Sequence, residues 1–389
     1  MHQTPILFLT DAPAASGGLS RIGRDLAILT SKMEEFRVGF LGRGGLASTH
    51  LPFMQYNYPE FGGWGEDQLQ DVWENFSEGE QGIVFTIWDP SRLLWLSNPI
   101  GMPNEAWLRD PPFKKWGYFP IDHEGPNGRL SMIEHETLKG YDRVLAYGMF
   151  GAKVISDTLG WKSVCDWIPH GINMDTFQPR DGEGVKLGMC IPKGMPVIGI
   201  VMTNQIRKDW GLAFGVIAEL KQYLKGNLYV WCKTDSIDRH WDLRALAADF
   251  NVGDVVNVDL NMLSDKSMSY MYSMCDLTFL PSLGEGFGYP IVESMACGVP
   301  CITGSYGGGA ELVTDKHTVK PVTYRYEATC NSVRPVYSPG VWAQVILRKL
   351  EHRLNKDDVR RQVEYLNWPN LHTVWERWFR EGVQWPLKL

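Results

Sequence analysis

Residues 281–293 read Pro-Ser-Leu-Gly-Glu-Gly-Phe-Gly-Tyr-Pro-Ile-Val-Glu. An apolar run precedes them, and Pro290 stands where a first helical turn tolerates proline. We therefore predict a buried strand that ends at Pro281 and a helix that begins near Tyr289. The three glycines between them let the backbone approach a ligand closely, and the amides at a helix start favour an anion. The segment predicts an anion-binding loop between a strand and a helix.

Two carboxylates belong to this segment. Glu285 lies in the glycine-rich loop, and Glu293 lies eight residues later, inside the predicted helix. Two carboxylates near one polyol can accept hydrogen bonds from sugar and ribose hydroxyls. Taken singly, Glu285 could be a helix cap and Glu293 a solvated side chain. The complete string favours a ligand-binding role for both.

Apolar runs alternate with helical patterns on both sides of the chain's midpoint. The predicted strands of the first half are Ile6–Leu9, Arg37–Leu41, 82–88, 117–121 and Arg143–Ala146, and those of the second half are 197–202, 228–232, 255–259 and 277–281. Helical spacing of apolar residues marks 19–30 and Trp210–Tyr223. Strands that alternate with helices predict an α/β protein with parallel sheets covered by helices. Residues 43–80 are rich in Gly and Trp and predict an irregular insertion.

A Gly- and Pro-rich stretch, residues 175–195, separates the two series and predicts a linker. We therefore divide the chain into an N-terminal domain (1–180), a C-terminal domain (181–370) and a last segment (371–389). The aromatic residues of that segment favour a helix that packs back on the first domain.

Composition narrows the class of protein. Hydrophobic residues make up 44% of the chain and the net charge is −7, with the acidic excess in the first half. An acidic half argues against a nucleic-acid groove, although Lys114 and Lys115 leave a local basic patch open. Seven scattered cysteines without a Cys-x-x-Cys pair predict reduced thiols in a cytoplasmic protein. We expect neither a signal peptide nor a run of ~20 apolar residues that could span a membrane.

The stretch from Pro281 to Glu293 resembles the E-x7-E signature of retaining family-4 glycosyltransferases, which have the GT-B fold. The resemblance continues through residues 294–300 and 307–313, and Ser16-Gly17-Gly18 is similar to the family's N-terminal glycine loop. It implies two Rossmann-like domains with parallel sheets that face each other across a cleft. The C-terminal domain would bind a nucleotide sugar and the N-terminal domain the acceptor.

The resemblance also implies roles for individual residues. Catalytic roles fall on Asp122, Lys208 and Glu285, and donor binding falls on Gly17, Gly18, Arg207, Lys208, Glu285, Gly286, Phe287, Gly288 and Glu293. Asp122 and its neighbour His123 both remain candidates to face the donor's anomeric carbon, and a strand-end Asp is otherwise often a helix N-cap. Met202 stands where the family usually has an arginine, so Arg207 would join Lys208 in neutralising the diphosphate.

We expect a hexosyltransferase, which transfers a sugar from a UDP- or GDP-sugar to an acceptor hydroxyl with retention of configuration. No cofactor is expected, and no metal, because no Asp-x-Asp pair stands at a strand end. The acceptor stays open among a glycan, a small molecule and a modified DNA base. One alternative is therefore a bacteriophage-type DNA glycosyltransferase, and another is a non-catalytic nucleotide-sugar-binding module.

Overall fold

Two α/β units make up the chain. The computed structural model describes residues 3–15, 17–45, 50–162 and 164–383. The N-terminal unit comprises the described residues within Met1–His170, Ala328–Ser332 and Leu371–Leu389, and the C-terminal unit comprises Gly171–Glu327 and Val333–Asn370. Each unit has its own six-stranded parallel sheet.

The N-terminal sheet has the strand order β3-β2-β1-β4-β5-β6. Its strands are β1 (Thr4–Asp11), β2 (Phe36–Arg43), β3 (Met54–Tyr58), β4 (Gly82–Thr86), β5 (Phe113–Phe119) and β6 (Arg143–Ala146). The central strand β1 is apolar along its middle because helices cover both faces of a parallel sheet. The strand order reverses between β1 and β4, and ligands of such sheets bind outside the carboxyl ends at that point.

Six helices accompany this sheet in sequence. They are α1 (Gly18–Thr30), α2 (Leu69–Ser77), α3 (Leu94–Ser97), α4 (Glu105–Arg109), α5 (Met132–Lys139) and α6 (Met149–Leu159). The predicted apolar stripe of α1 is buried through Ile22, Leu26 and Leu29. The amphipathic pattern therefore predicted this helix because burial of one face stabilises it.

The C-terminal sheet has the order β12-β11-β10-β7-β8-β9. Its strands are β7 (Val197–Val201), β8 (Tyr229–Lys233), β9 (Val256–Asp259), β10 (Leu277–Leu280), β11 (Cys301–Gly304) and β12 (Thr318–Val319), and an antiparallel hairpin, β13 (Thr323–Tyr326) and β14 (Val333–Val336), follows. The order reverses between β7 and β10, which pair directly. The loops after these two strands therefore lie next to each other.

Eight helices complete the described chain. They are α7 (Gly182–Gly188), α8 (Trp210–Tyr223), α9 (Leu243–Asp249), α10 (Asp265–Met274), α11 (Tyr289–Ala296), α12 (Pro339–Glu351), α13 (Lys356–Arg361) and α14 (Trp368–Val383). Helix α7, capped by Asp181, lies inside the stretch expected to be a linker. From Leu371 onward α14 belongs to the N-terminal unit. There, the Trp375 ring lies edge-on to Tyr118 at 4.9 Å.

The predicted α/β fold with two parallel sheets is confirmed. The irregular insertion predicted for 43–80 is wrong in part, because β3 and α2 lie within it. All seven cysteines are free. Among the described residues, no helix combines the length and apolar character needed to cross a membrane.

Lys114 and Lys115, the local basic patch that the sequence left open, each have a partner within the N-terminal unit. Lys115 Nζ donates a hydrogen bond to the Leu96 carbonyl at 2.9 Å, and Lys114 Nζ lies 3.4 Å from the Asp142 carboxylate. The adjacent Trp116 is buried. The Lys114 side chain is 49% exposed, so a local basic patch stays a prediction.

Candidate functional site

An ion cluster joins the loops that follow β7 and β10. Arg207 and Lys208 lie in a short 3₁₀ turn after β7, and Glu285 lies in the loop after β10. Lys208 Nζ donates a hydrogen bond to Glu285 Oε1, and Arg207 Nη1 lies 3.1 Å from Glu285 Oε2. Lys208 and Glu285 are each only 7% exposed. The structure therefore brings together three of the predicted site residues at the point where the strand order reverses.

The electrostatics of this cluster favour an anion. Burial opposes ionisation of Glu285, but the charges of Arg207 and Lys208 and the hydrogen bonds to the carboxylate lower its pKa to about 2. The carboxylate is thus ionised at neutral pH, and two cations surround one anion. A net positive cluster at the carboxyl edge of a parallel sheet is complementary to a phosphate-bearing ligand.

The glycine-rich loops pack directly on the backbone of Glu285. The Gly308 amide donates to the Glu285 carbonyl at 2.7 Å, and a Cβ at Gly308 would lie 2.2 Å from the Gly286 carbonyl oxygen. Gly288 precedes α11 with a φ of +107°, a conformation that L side chains rarely adopt. Gly286, Phe287 and Gly288 therefore form the loop between Glu285 and the start of α11.

Glu293 lies inside α11 and is buried. Its Oε2 accepts a hydrogen bond from the Tyr272 hydroxyl of α10 at 2.8 Å. Burial, together with the charge of Glu293, raises the pKa of Tyr272 well above its ordinary value, so this hydroxyl stays a donor. The solvated helix position considered for Glu293 is therefore wrong, whereas its role toward ribose stays a prediction.

A second charged cluster lies in the N-terminal unit, just after β5. His123 Nδ1 lies 3.0 Å from Asp122 Oδ1, and His123 Nε2 lies 3.5 Å from Glu134 Oε1. Burial lowers the pKa of His123, but the two carboxylates outweigh it and raise that pKa to about 9. His123 is therefore an imidazolium at neutral pH, held between Asp122 and Glu134.

Glu134 is a member of this cluster that the sequence did not reveal. It is 1% exposed, and its Oε2 accepts hydrogen bonds from the Ser131 amide at 3.0 Å and hydroxyl at 2.8 Å. Ser131 and Glu134 form a capping box at the start of α5. The Ser-x-x-Glu spacing is a signal for a helix start. It gives no indication that the same carboxylate reaches His123.

The predicted glycine loop of the N-terminal unit lies at the start of α1. Gly17 has a φ of +132° and Gly18 begins the helix, while Ser16 lies outside the described residues. A Cβ on Gly17 would meet no atom within 4 Å. Backbone conformation rather than crowding therefore requires glycine here. Within the described ranges, no group of three or more His, Cys, Asp or Glu side chains could hold a metal ion.

A protein-family model matches part of the chain. Residues 237–329 match the family described as "Glycosyl transferases group 1". A D-inositol 3-phosphate glycosyltransferase from Acidothermus cellulolyticus is 31% identical over 239 residues, which cover 58% of this chain and 52% of the relative. An MMP alpha-(1->4)-mannosyltransferase from Mycolicibacterium hassiacum is 26% identical over 52% of this chain and 45% of its own. The chain thus spans about half the length of the curated relatives it matches.

Solved structures resemble the chain over nearly its whole length. The sucrose-phosphate synthase of Thermosynechococcus elongatus superposes with a TM-score of 0.76 at 17% identity, covering 98% of this chain and 99% of its own. The chain has the GT-B fold of glycosyltransferases. Anabaena HepE, solved in complex with UDP-glucose, superposes with a TM-score of 0.70 at 13% identity, covering 97% of this GT-B chain and 100% of its own. At these identities the likeness establishes the fold.

Proposed function

We propose that this GT-B protein is a glycosyltransferase that moves a sugar from a nucleotide-sugar donor to an acceptor hydroxyl with retention of configuration. The observation that carries the proposal is the ion cluster that Arg207 forms with the buried Lys208 and Glu285 beside the glycine loops. It lies where the strand order of the C-terminal sheet reverses. The group 1 match of residues 237–329 includes Glu285 and Glu293 and supports the same activity.

The proposed chemistry is stabilisation of a departing nucleoside diphosphate. Negative charge builds on the diphosphate as the sugar–oxygen bond breaks, and preorganised cations in a buried site stabilise that charge without having to reorganise. Lys208 and Arg207 would supply these cations, and the amides at the start of α11 would add to them. Because the protein provides the positive charge, we propose that the reaction needs no metal ion.

Glu285 and Glu293 would accept hydrogen bonds from the donor. Each carboxylate oxygen has two lone pairs, so a carboxylate that already holds a cation or a hydroxyl can accept a further hydrogen bond. Glu285 would then bind hydroxyls of the sugar, and Glu293 those of the ribose. Asp122, paired with His123, is proposed to face the anomeric carbon.

The donor is proposed to be a UDP- or GDP-sugar, and the acceptor a small hydroxylated molecule or glycan. HepE, which has a similar fold, was solved in complex with UDP-glucose. Two sequence relatives are named for inositol phosphate and mannosyl transfer. The acidic excess of the first half makes the DNA-directed alternative the weaker one. The free cysteines are consistent with the predicted cytoplasmic location.

A donor panel tests this proposal. Purified protein is heated with UDP-, GDP- and ADP-sugars, and the donor that raises Tm is then assayed for sugar release with and without EDTA. Ligand that binds only the folded state raises Tm. We expect one nucleotide class to raise Tm and sugar release to continue in EDTA.

The other outcomes separate the alternatives. Binding without release of sugar to water or to any hydroxylated acceptor would support the non-catalytic module. Loss of release in EDTA with rescue by Mn²⁺ would overturn metal independence. If no nucleotide sugar changes Tm, the proposal as a whole is wrong.

A further inference from the structure

Asn204 is a completely buried amide in the loop after β7, four residues before Lys208. Its Nδ2 donates to the carbonyls of Trp241 at 2.8 Å and Ser236 at 3.2 Å. Its Oδ1 accepts from the amides of Trp241 at 2.9 Å and His240 at 3.4 Å. An amide side chain has two donor and two acceptor positions. All four are used, and all four partners belong to the loop after β8, residues 234–242.

The backbone of the same residue joins the same loop. The Asn204 amide donates to Asp235 Oδ1 at 2.6 Å. One side chain and one amide thus make five hydrogen bonds to a single loop. These five hydrogen bonds fix the loop after β8 against the loop after β7, because a buried polar group that loses its partners is costly.

The next residue, Gln205, connects the same loop to the turn that carries Arg207 and Lys208. The Gln205 carbonyl accepts hydrogen bonds from the Lys208 amide at 3.1 Å and from Trp241 Nε1 at 3.1 Å. The loop fixed by Asn204 therefore also contacts the backbone of the turn Ile206–Lys208. On the other side of that turn, the Arg207 carbonyl accepts from the Leu283 amide at 2.8 Å.

We propose that Asn204 is a positioning residue for the donor diphosphate. By binding the loop 234–242 to the loop after β7, it fixes the backbone from which Arg207 and Lys208 extend. The proposal rests on the glycosyltransferase function proposed above. Long cationic side chains lose conformational entropy when they bind an anion. A fixed backbone lowers that cost and keeps both charges where the diphosphate needs them.

The variant Asn204→Asp tests this role with little change of volume. The carboxylate keeps acceptor oxygens for Trp241 and His240 but removes both donations from Nδ2, and its charge faces the carbonyls of Ser236 and Trp241. We expect kcat for sugar release to fall about tenfold or more, since small misplacements of catalytic groups are costly. UDP or GDP, whichever the wild type binds, should bind about tenfold more weakly by calorimetry. The corresponding nucleoside, which has no phosphate, should bind as it does to the wild type.

Two further variants complete the experiment. Asn257→Asp makes the same chemical change on β9, where the amide donates one 3.4 Å hydrogen bond to Val255, and should leave kcat and UDP or GDP affinity unchanged. Trp241→Phe retains an aromatic ring but removes the Nε1 donation to Gln205. It should also lower kcat and the affinity for UDP or GDP, by a smaller factor than Asn204→Asp does. This second variant keeps the proposal testable if Asn204→Asp does not fold.

The outcomes distinguish this inference from the proposed function. If the wild type binds neither UDP, GDP nor ADP, the proposed function has failed. If the wild type binds one of these nucleotides, and Asn204→Asp and Trp241→Phe both retain the wild-type affinity and kcat, the positioning role is wrong. Equal losses for the nucleoside and the nucleoside diphosphate would reveal a general structural role and would likewise overturn it.

Discussion

The two charged clusters of this protein have opposite compositions. In the C-terminal unit, one carboxylate, Glu285, lies between two cations, Arg207 and Lys208. In the N-terminal unit, one cation, His123, lies between two carboxylates, Asp122 and Glu134. Each cluster follows the carboxyl end of a parallel strand, and each keeps its central group charged at neutral pH. The first is therefore net positive and the second net negative.

In the proposed reaction, two opposite charges develop. Breaking the bond between sugar and diphosphate places negative charge on the leaving group and positive charge on the anomeric carbon. In that proposal the net positive cluster would stabilise the leaving group, and Asp122 of the net negative cluster would face the anomeric carbon. The comparison therefore predicts that changes in the two clusters affect different properties of the protein.

The largest effect is expected for Lys208→Met. This change keeps the aliphatic stem and removes the cation that donates to Glu285. Loss of one charge-stabilising group of this kind lowers kcat by about 10²–10³-fold. The measurement is the steady-state rate of sugar release with the donor identified by thermal shift.

A matched control for this variant is Lys221→Met on α8. Lys221 pairs with Asp254, whose side chain is 63% exposed, at 2.6 Å. An ion pair at the surface contributes about 0–1 kcal/mol, so kcat should not change. Equal rates for Lys208→Met and wild type would show that the positive cluster is structural, and the comparison would lose its catalytic meaning.

The sequence predicted more of the C-terminal cluster than of the N-terminal cluster. Glu285 could be placed in a ligand-binding loop because a strand end, glycines and a helix-start proline mark that loop locally, whereas Arg207 and Lys208 were assigned by the resemblance to a family. Which of their atoms pair was not predictable, since it depends on the direct pairing of β7 with β10. Strands and helices with clear periodicity were also predicted close to their observed bounds.

Only part of the N-terminal cluster could be predicted from the sequence. Asp122 and His123 follow a recognisable strand, but Glu134 reads as part of a helix cap, and its contact with His123 arises from tertiary packing. Asn204 was missed for the same reason, because its five hydrogen bonds lead to a loop more than 30 residues later. Strand β3 and helix α2 were missed because their Gly- and Trp-rich surroundings conceal the apolar pattern.

The next largest effect is expected for Glu134→Gln. Glutamine retains a capping-box partner for Ser131, so the change chiefly removes the charge that faces His123. We expect the free energy of unfolding to fall by about 1–3 kcal/mol, and the pKa of His123 to fall toward its ordinary value. Urea denaturation measures the first quantity and an NMR titration of the His123 ring the second.

The control for Glu134→Gln is Glu136→Gln on the same helix. Glu136 pairs with His135 at 3.0 Å, and the two side chains are 37% and 32% exposed. Solvent screens such a pair, so unfolding should change by roughly 0–1 kcal/mol. If both variants lose the same stability, His123 is not held by the buried carboxylate in particular.

The last expected effect is a difference in the pH range over which each cluster loses its stabilising contribution. The pKa of His123 is raised from 6.5 to about 9 in the folded protein, so its contribution is complete below pH 6.5 and is lost as the pH rises through 9. Glu285, with its pKa lowered from 4.5 to about 2, contributes fully above pH 4.5 and loses that contribution as the pH falls toward 2.

We therefore expect the stability advantage of wild type over His123→Gln to decline by about 1 kcal/mol per pH unit between pH 6.5 and 9. Urea denaturation of both proteins at half-unit intervals measures this advantage. An advantage that stays constant over this range would mean that His123 is not the proton-binding centre of the cluster, and the contrast between the two clusters would then rest on Glu285 alone.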